Sequence, residues 1–374
     1  MIEIETENKK VYDKFFPYGE LEPKGWIKEQ LKIQASGLAG NLDKVWPDIR
    51  ESRWIGGKRD GWERFPYFLD GFVPLAYLLD DSKLKERADR YIEKIRKSQR
   101  ENGRICPEDD TDEKNSDIWS IFLVLKVLVE YAEFTGKEGE TEEIICRALK
   151  YLSDYICRRT LPNWAAARWY ECFIPIIWLY ERRPEMWLLD LAKRMQLQGI
   201  DYSAAGPLWK DGGEYWCYEK HVVNVAMSLK SGALVSRLFG TSYSGEAEKM
   251  LAALDEQCGT AYGHFNGDEC LARNDSPVRG SELCGIVEAM YSYELLLAET
   301  ENAAWGDRLE ALAFNGLPAA ISGDMWTHQY DQQVNQIACV PFEGKGVFAT
   351  NGKESNLFGL EPHYGCCTAN FGQG

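Results

Sequence analysis

The chain has 374 residues, 45% of them hydrophobic, and a formal net charge of -16 from 43 Lys+Arg against 59 Asp+Glu. That is enough apolar material for one large repetitive helical domain or for two domains. The acidic excess argues against nucleic acid and against an anionic membrane surface as partners, because both need clustered basic side chains.

The N-terminal stretch MIEIETENKKVYDKFFPYGE has no apolar core, so no signal peptide is expected, and no stretch reads as long and apolar enough to span a bilayer. LEPKGWIKEQLKIQASGLAG brings Trp26, Ile27, Leu31 and Ile33 near one another before a glycine stop. FLDGFVPLAYLLDDSKLKERADRYIEKIRKSQRENG reads as two helices broken at Asp80 and Asp81. SDIWSIFLVLKVLVEYAEFTG starts with Ser116 as its cap and stops at Gly136, and it is apolar nearly all round, as a helix buried on most sides is.

Further helices follow at TEEIICRALKYLSDYICRR, WAAARWYECFIPIIWLYERR and EMWLLDLAKRMQLQG. KHVVNVAMSLKSGALVSRLFG, GEAEKMLAALDEQCG, ELCGIVEAMYSYELLLAE and NAAWGDRLEALAFNGL continue the pattern. β-branched alternation is rare until roughly residue 330, so little strand is expected. Very apolar helices alternate with amphipathic ones. That suits an all-α toroid of helical hairpins, with an inner ring buried on both sides and an outer ring half exposed. Gly-rich loops such as RWIGGKRDGWERFPYFLDG and PLWKDGGEYWCYEKH carry many of the Trp and Tyr residues. Such loops at one mouth of a toroid are where a sugar site would be built, since sugars stack apolar C–H faces on aromatic rings.

The 11 cysteines are scattered and odd in number, which reads as free thiols in a reducing compartment and hence a cytoplasmic protein. Two stretches have the chemistry of a metal site. RGSELCGIVEAMYSYE holds Glu282 and Cys284, with Gly280 and Ser281 as turn and cap, so that both fall at the first turn of a helix. YGCCTAN holds Cys366 and Cys367, neighbours too close to bridge each other readily. One carboxylate with three thiolates is a tetrahedral set for zinc. There is no C-x-x-C, and two buried free cysteines at a tight turn are the alternative. Just upstream, AYGHFNGDECLARNDSPVRGSELC gathers His264, Asp268, Glu269 and Asp275, either a solvated face or a source of a general acid/base. His221 opens an apolar helix, where a lone histidine is more often a cap or a core residue than a ligand. His328 and His363 lie in loops and cannot be ranked.

Together, GSELC and GCCTAN resemble the β-L-arabinofuranosidase family of glycoside hydrolases, family 127, and the resemblance covers nearly all of the chain in segment order. It implies an (α/α)6 barrel followed by β-sandwich modules. It also implies a zinc ion held by Glu282, Cys284, Cys366 and Cys367, with Cys366 as the nucleophile of a retaining hydrolysis. The family's acid/base is a glutamate shortly before the E-x-C. Glu269 fits best, with Asp268 as the alternative and otherwise a substrate contact. His221 matches a sugar-binding histidine, and His264 is a second. GDEC replaces the family's G-E-aromatic arrangement, and the loop is shorter, so the sugar is expected to differ. The family continues well past the double cysteine. Residues 1–374 therefore read as a catalytic barrel incomplete at its C-terminal end, with the β-sandwiches absent. The expected partner is a carbohydrate, and a homo-oligomer is left open. The rival expectations are a catalytically silent glycan-binding or structural toroid with a structural zinc, and a carboxylate-only hydrolase or sugar epimerase on the same fold.

Overall fold

The computed structural model describes residues 21–112, 116–210, 215–271, 276–341 and 352–374. Two helices, α1 (Gly25–Ser36) and α2 (Leu38–Val45), precede a series of hairpins. α1 buries none of its residues, so Trp26 and Ile27 lie on the surface, although Gly37 does end the helix.

The hairpins alternate as the hydrophobic pattern dictates. α3 (Arg64–Leu78) is buried nearly throughout. The chain turns at Asp80, which takes a left-handed φ of 55°, and Asp81 accepts hydrogen bonds from the Lys83 and Leu84 amides to start α4 (Ser82–Lys97). α4 buries only Leu84, Ala88, Ile92 and Ile95, a single stripe at helical spacing. The same contrast recurs between α5 (Trp119–Thr135) and α6 (Glu138–Arg158), and between α7 (Phe173–Arg182) and α8 (Met186–Gln198). It recurs again for α9 (Val222–Ser228) with α10 (Ser231–Phe239) against α11 (Glu246–Cys258), and for α12 (Leu283–Thr300) against α13 (Ala303–Ala311). Each fully buried Leu, Ile or Phe of the inner ring contributes roughly 1.5–3 kcal/mol. A short helix, α14 (Gly365–Asn370), packs against both α3 and α12 and closes the inner ring. The closure is tight: a Cβ on Gly71 of α3 would lie 2.4 Å from the Gly372 carbonyl carbon, so only glycine fits there.

The strands are few. β1 (Gly267–Asp268), β2 (Cys270–Leu271), β3 (Gly280–Glu282) and β4 (Asp331–Gln333) form one small sheet in the order β2-β1-β3-β4. Its pairings are antiparallel except β1 with β3, and Glu282 is in register with Asp331.

The axis of the toroid is charged. Lys126 of α5 pairs with Asp70 of α3 at 2.8 Å, and Lys230, between α9 and α10, pairs with Glu171 at 2.5 Å. Glu288 of α12 accepts a hydrogen bond from Asn370 of α14 at 3.0 Å. The Tyr291 ring lies between the two ammonium groups, 3.8 Å from Lys126 Nζ and 5.2 Å from Lys230 Nζ. α3, α5, α12, α14 and the segments before α7 and α10 thus each send a polar group inward.

Three expectations are corrected. Ser116 does not cap α5; the Asp117 carboxylate does, accepting from the Trp119 and Ser120 amides, while Ser116 accepts from the Tyr151 hydroxyl. Gly280 and Ser281 are strand, not turn and cap, and the Ser281 hydroxyl bonds Asn266 instead. Val222–Phe239 does reach the length and hydropathy of a membrane span. However, 72% of it is buried inside the protein and it carries the paired Lys230, as a core helix does.

Candidate metal centre and adjoining cavity

Two chain segments meet at one end of the toroid. β3 delivers Glu282 at its last residue, and Cys284 follows at the second position of α12. Gly365 opens α14, and Cys366 and Cys367 follow at once. Gly365 is wedged where a Cβ would meet the Trp46 ring at 2.7 Å, so bulk just before the double cysteine is excluded. The donor atoms of Glu282, Cys284, Cys366 and Cys367 all lie within 4.8 Å of one another. Cys367 Sγ is 3.8 Å from Glu282 Oε1, and the buried Glu282 Oε2 has no hydrogen-bond partner.

The electrostatics of this quartet are those of a site built for a cation. Burial pushes Glu282, Cys284 and Cys367 well above their ordinary pKa values. Cys366 is driven well below, first by hydrogen bonding to Cys284 and Cys367 and also by the Tyr330 hydroxyl. Four acidic groups share one spot with no lysine or arginine among them. The cluster can therefore hold a metal ion, which would let the remaining donors ionise.

Three of the four adjoin a cavity of about 250 Å³. Glu282, Cys284 and Cys366 line its base, and Trp62, Trp164 and Tyr364 supply aromatic wall. Glu269 and His221 line it as well. Glu269 sits between β1 and β2 with φ at 76°, a conformation uncommon for a side-chain-bearing residue. Its Oε2 accepts a 2.6 Å hydrogen bond from the Tyr330 hydroxyl, and that same hydroxyl is 3.7 Å from Cys366 Sγ. Its Oε1 is 3.5 Å from His221 Nε2. His221 caps α9: its Nδ1 accepts from the Asn224 amide at 3.3 Å, which assigns the ring proton to Nε2, facing Glu269. The cap reading and the cavity reading of His221 thus hold together.

Not every sequence candidate is brought here. Asp268 is turned to Arg279, 2.9 Å away, and does not line the cavity. His264 does not line it either. It is fully buried, stacked on Phe265 at 4.3 Å, with neither ring nitrogen hydrogen-bonded. Burial lowers its pKa to about 3. His328 braces the loop before α14 through the Leu360 carbonyl and the Thr368 hydroxyl. His363 stacks on Tyr364 at 3.9 Å. Asp275 lies outside the described residues.

Three participants have no motif. Tyr330 is one. The others are Glu63 and Arg168, a buried ion pair at 3.3 Å that lines the wall. The Arg168 guanidinium is sandwiched between Trp119 and Trp164, 4.5 and 4.6 Å from their ring centres, and its Nε donates to Asn224 at 2.7 Å. Burial raises Glu63 to about 7 despite that partner. A lone arginine inside the apolar run AAARWYECFIPII was the available signal, since an isolated buried charge needs a counter-charge.

No protein-family model and no curated protein matches the sequence. Solved structures do match by fold. A family 127 β-L-arabinofuranosidase from Geobacillus stearothermophilus T6 superposes with a TM-score of 0.66 at 15% identity, over 94% of this chain and 64% of that one. Another family 127 β-arabinofuranosidase gives 0.62 at 17% identity, over 96% and 60%. A sugar epimerase from a ruminal bacterium gives 0.55 at 10% identity, over 92% and 97%. The chain thus spans less than two thirds of the length of either arabinofuranosidase. The likeness is one of fold: this is an (α/α)6 toroid of the kind used by carbohydrate-active enzymes of several chemistries.

Proposed function

We propose that the chain is a retaining glycoside hydrolase akin to the family 127 β-L-arabinofuranosidases, with Cys366 as nucleophile and Glu269 as general acid/base. The observation that carries this reading is the convergence of Glu282, Cys284, Cys366 and Cys367 beside a cavity that the first three line together with Glu269. Zinc is the metal that fits. Three sulfurs and one oxygen are a zinc donor set, and tetrahedral edges about a ~2.3 Å Zn–S bond are roughly 3.5–3.8 Å. The Cys367 to Glu282 separation of 3.8 Å is of that size. Bound there, zinc would keep the cysteines as thiolates at neutral pH.

The sugar would lie against Trp62 and Trp164, with the Glu63–Arg168 pair offering acceptors and donors to its hydroxyls. Cys366 Sγ attacks the anomeric carbon as Glu269 gives its proton to the departing glycosidic oxygen. The C–O bond breaks as the C–S bond forms. Glu269, now a carboxylate, takes a proton from water as that water displaces the sulfur, so the configuration is retained. The Tyr330 hydroxyl touches both groups and bridges nucleophile and acid/base, and retaining enzymes hold these two close, with about 5–5.5 Å between paired carboxyls. The test is hydrolysis of a panel of 4-nitrophenyl furanosides and pyranosides, headed by the β-L-arabinofuranoside, with the product anomer followed by NMR. Turnover with retention that disappears in Cys366→Ser is expected. A zinc-loaded protein that cleaves none of them would sink the reading.

A further inference from the structure

The quartet is assembled from two segments far apart in sequence, and something must set how α14 lies against α12. The two helices start side by side, with Cys284 in the first turn of one, just after Glu282, and Cys366 and Cys367 in the first turn of the other. One turn further on, the faces meet again. Glu288 is four residues past Cys284 and Asn370 is three past Cys367, the spacings that return a helix to the same face. There the buried Asn370 Nδ2 donates to Glu288 Oε1 at 3.0 Å, across 82 positions of sequence. On its other side α14 is held by the Thr368 hydroxyl, bonded to the Leu360 carbonyl and to His328. Glu288 lies in turn within the electrostatic field of the axis lysines, Lys230 and Lys126. The double cysteine is therefore tied, by the Asn370–Glu288 hydrogen bond among others, to the charged interior of the ring.

We propose that Asn370 and Glu288 are positioning residues that set the register between the Glu282–Cys284 half and the Cys366–Cys367 half of the metal site. The role rests on the quartet binding a metal. It concerns the donor geometry, not a contact with the metal or the substrate. A bond one turn below the ligands converts a sliding contact between two helices into a two-point attachment, and sub-ångström slippage there would open the donor set.

The experiment compares the wild-type chain with Asn370→Leu, Asn370→Asp and Glu288→Gln. Zinc affinity is measured by competition with a chelator, the sulfur-to-cobalt charge-transfer band is recorded after cobalt loading, and the melting temperature is taken without metal. Asn370→Leu and Asn370→Asp, which lose the donor, should weaken zinc binding about 10-fold or more and shift the cobalt band. Glu288→Gln still presents an oxygen to Asn370 and should keep both. If either Asn370 variant folds and binds zinc with unchanged affinity and an unchanged cobalt spectrum, the pair is ordinary core packing and the proposal is overturned, whatever the melting temperature does. A wild type that binds neither zinc nor cobalt sinks the metal reading itself, and the positioning role falls with it.

Discussion

The metal quartet and the charged axis lie on the same helices, yet they solve the problem of buried charge in opposite ways. On the axis, carboxylates alternate with lysines: Asp70 with Lys126, Glu171 with Lys230. The surplus is absorbed by protonation, since burial lifts Glu288 to about 7 and Glu130 well above its ordinary value. At the quartet no basic side chain is interleaved, and four acidic groups converge within 4.8 Å. A region that neutralises itself is complete as folded. A region that does not is one that could hold a cation. The two should therefore respond to opposite perturbations.

The largest effects belong to the quartet. Cys366→Ser should lower turnover roughly 10⁶-fold, to below detection, as loss of a nucleophile does. Cys367→Ala should take zinc from about one per chain to none by elemental analysis. Zinc retained in Cys367→Ala would mean that the cluster is not the metal site. Glu269→Ala should slow turnover of a substrate with a poor leaving group by about 10²–10⁴-fold, with a smaller loss for an activated aryl glycoside that needs less protonation. Equal losses on both substrates would remove Glu269 from the acid role. At the axis, stability should move more than zinc binding does, because Lys230 reaches the quartet only through Glu288 and its bond to Asn370. Lys230→Met leaves Glu171 buried without its partner, which costs roughly 3–5 kcal/mol in denaturant unfolding. A zinc content that falls as completely as in Cys367→Ala would show that the two regions cannot be separated.

The axis and the quartet also differ in how much of them the sequence reveals. The alternation of all-apolar and striped helices is enough to read a toroid, and E-x-C with C-C picks out the four residues that the fold gathers into a cluster able to hold a metal. Both are local patterns whose chemistry is carried by the residues themselves. The cap of α5 lies one residue past Ser116, at Asp117, because both are good caps and only the chain's path decides between them. The axis is invisible as a unit: Asp70, Lys126, Glu171, Lys230 and Glu288 are single charges in separate apolar helices, and their pairing exists only once the ring closes. Tyr330 fails for a similar reason. It follows the loop before β4 and reaches Glu269 across 61 positions. Glu63 and Arg168 were findable only as charges out of place in apolar or aromatic surroundings. His264 shows the reverse failure, a residue whose neighbours in sequence suggested a site and whose neighbours in space are Phe265 and Tyr262.

His264 also houses a buried polar group in a third way, neither metal-bound nor paired but simply neutral, and this yields the smallest of the expected effects. Its folded pKa is lowered to about 3, first by burial and then by Arg308, against about 6.5 when unfolded. Below about 6.5 the unfolded chain takes up a proton that the folded chain refuses. The residue's contribution to stability is therefore whole above that pH and is lost as pH falls toward 3. Glu63 and Glu288, both raised to about 7, act with the opposite sign, but they are present in any His264 variant and cancel from the comparison. His264→Leu should thus cost or gain some fixed amount at pH 7 from packing alone. Between pH 7 and pH 4.5 the wild type should lose more stability than the variant, by on the order of 2 kcal/mol. The measurement is urea unfolding of both proteins at the two pH values with a chelator present, so that loss of metal cannot contribute. Identical pH dependence would mean that His264 is charged or solvated in the folded protein, and that the apolar stack around it opens in solution.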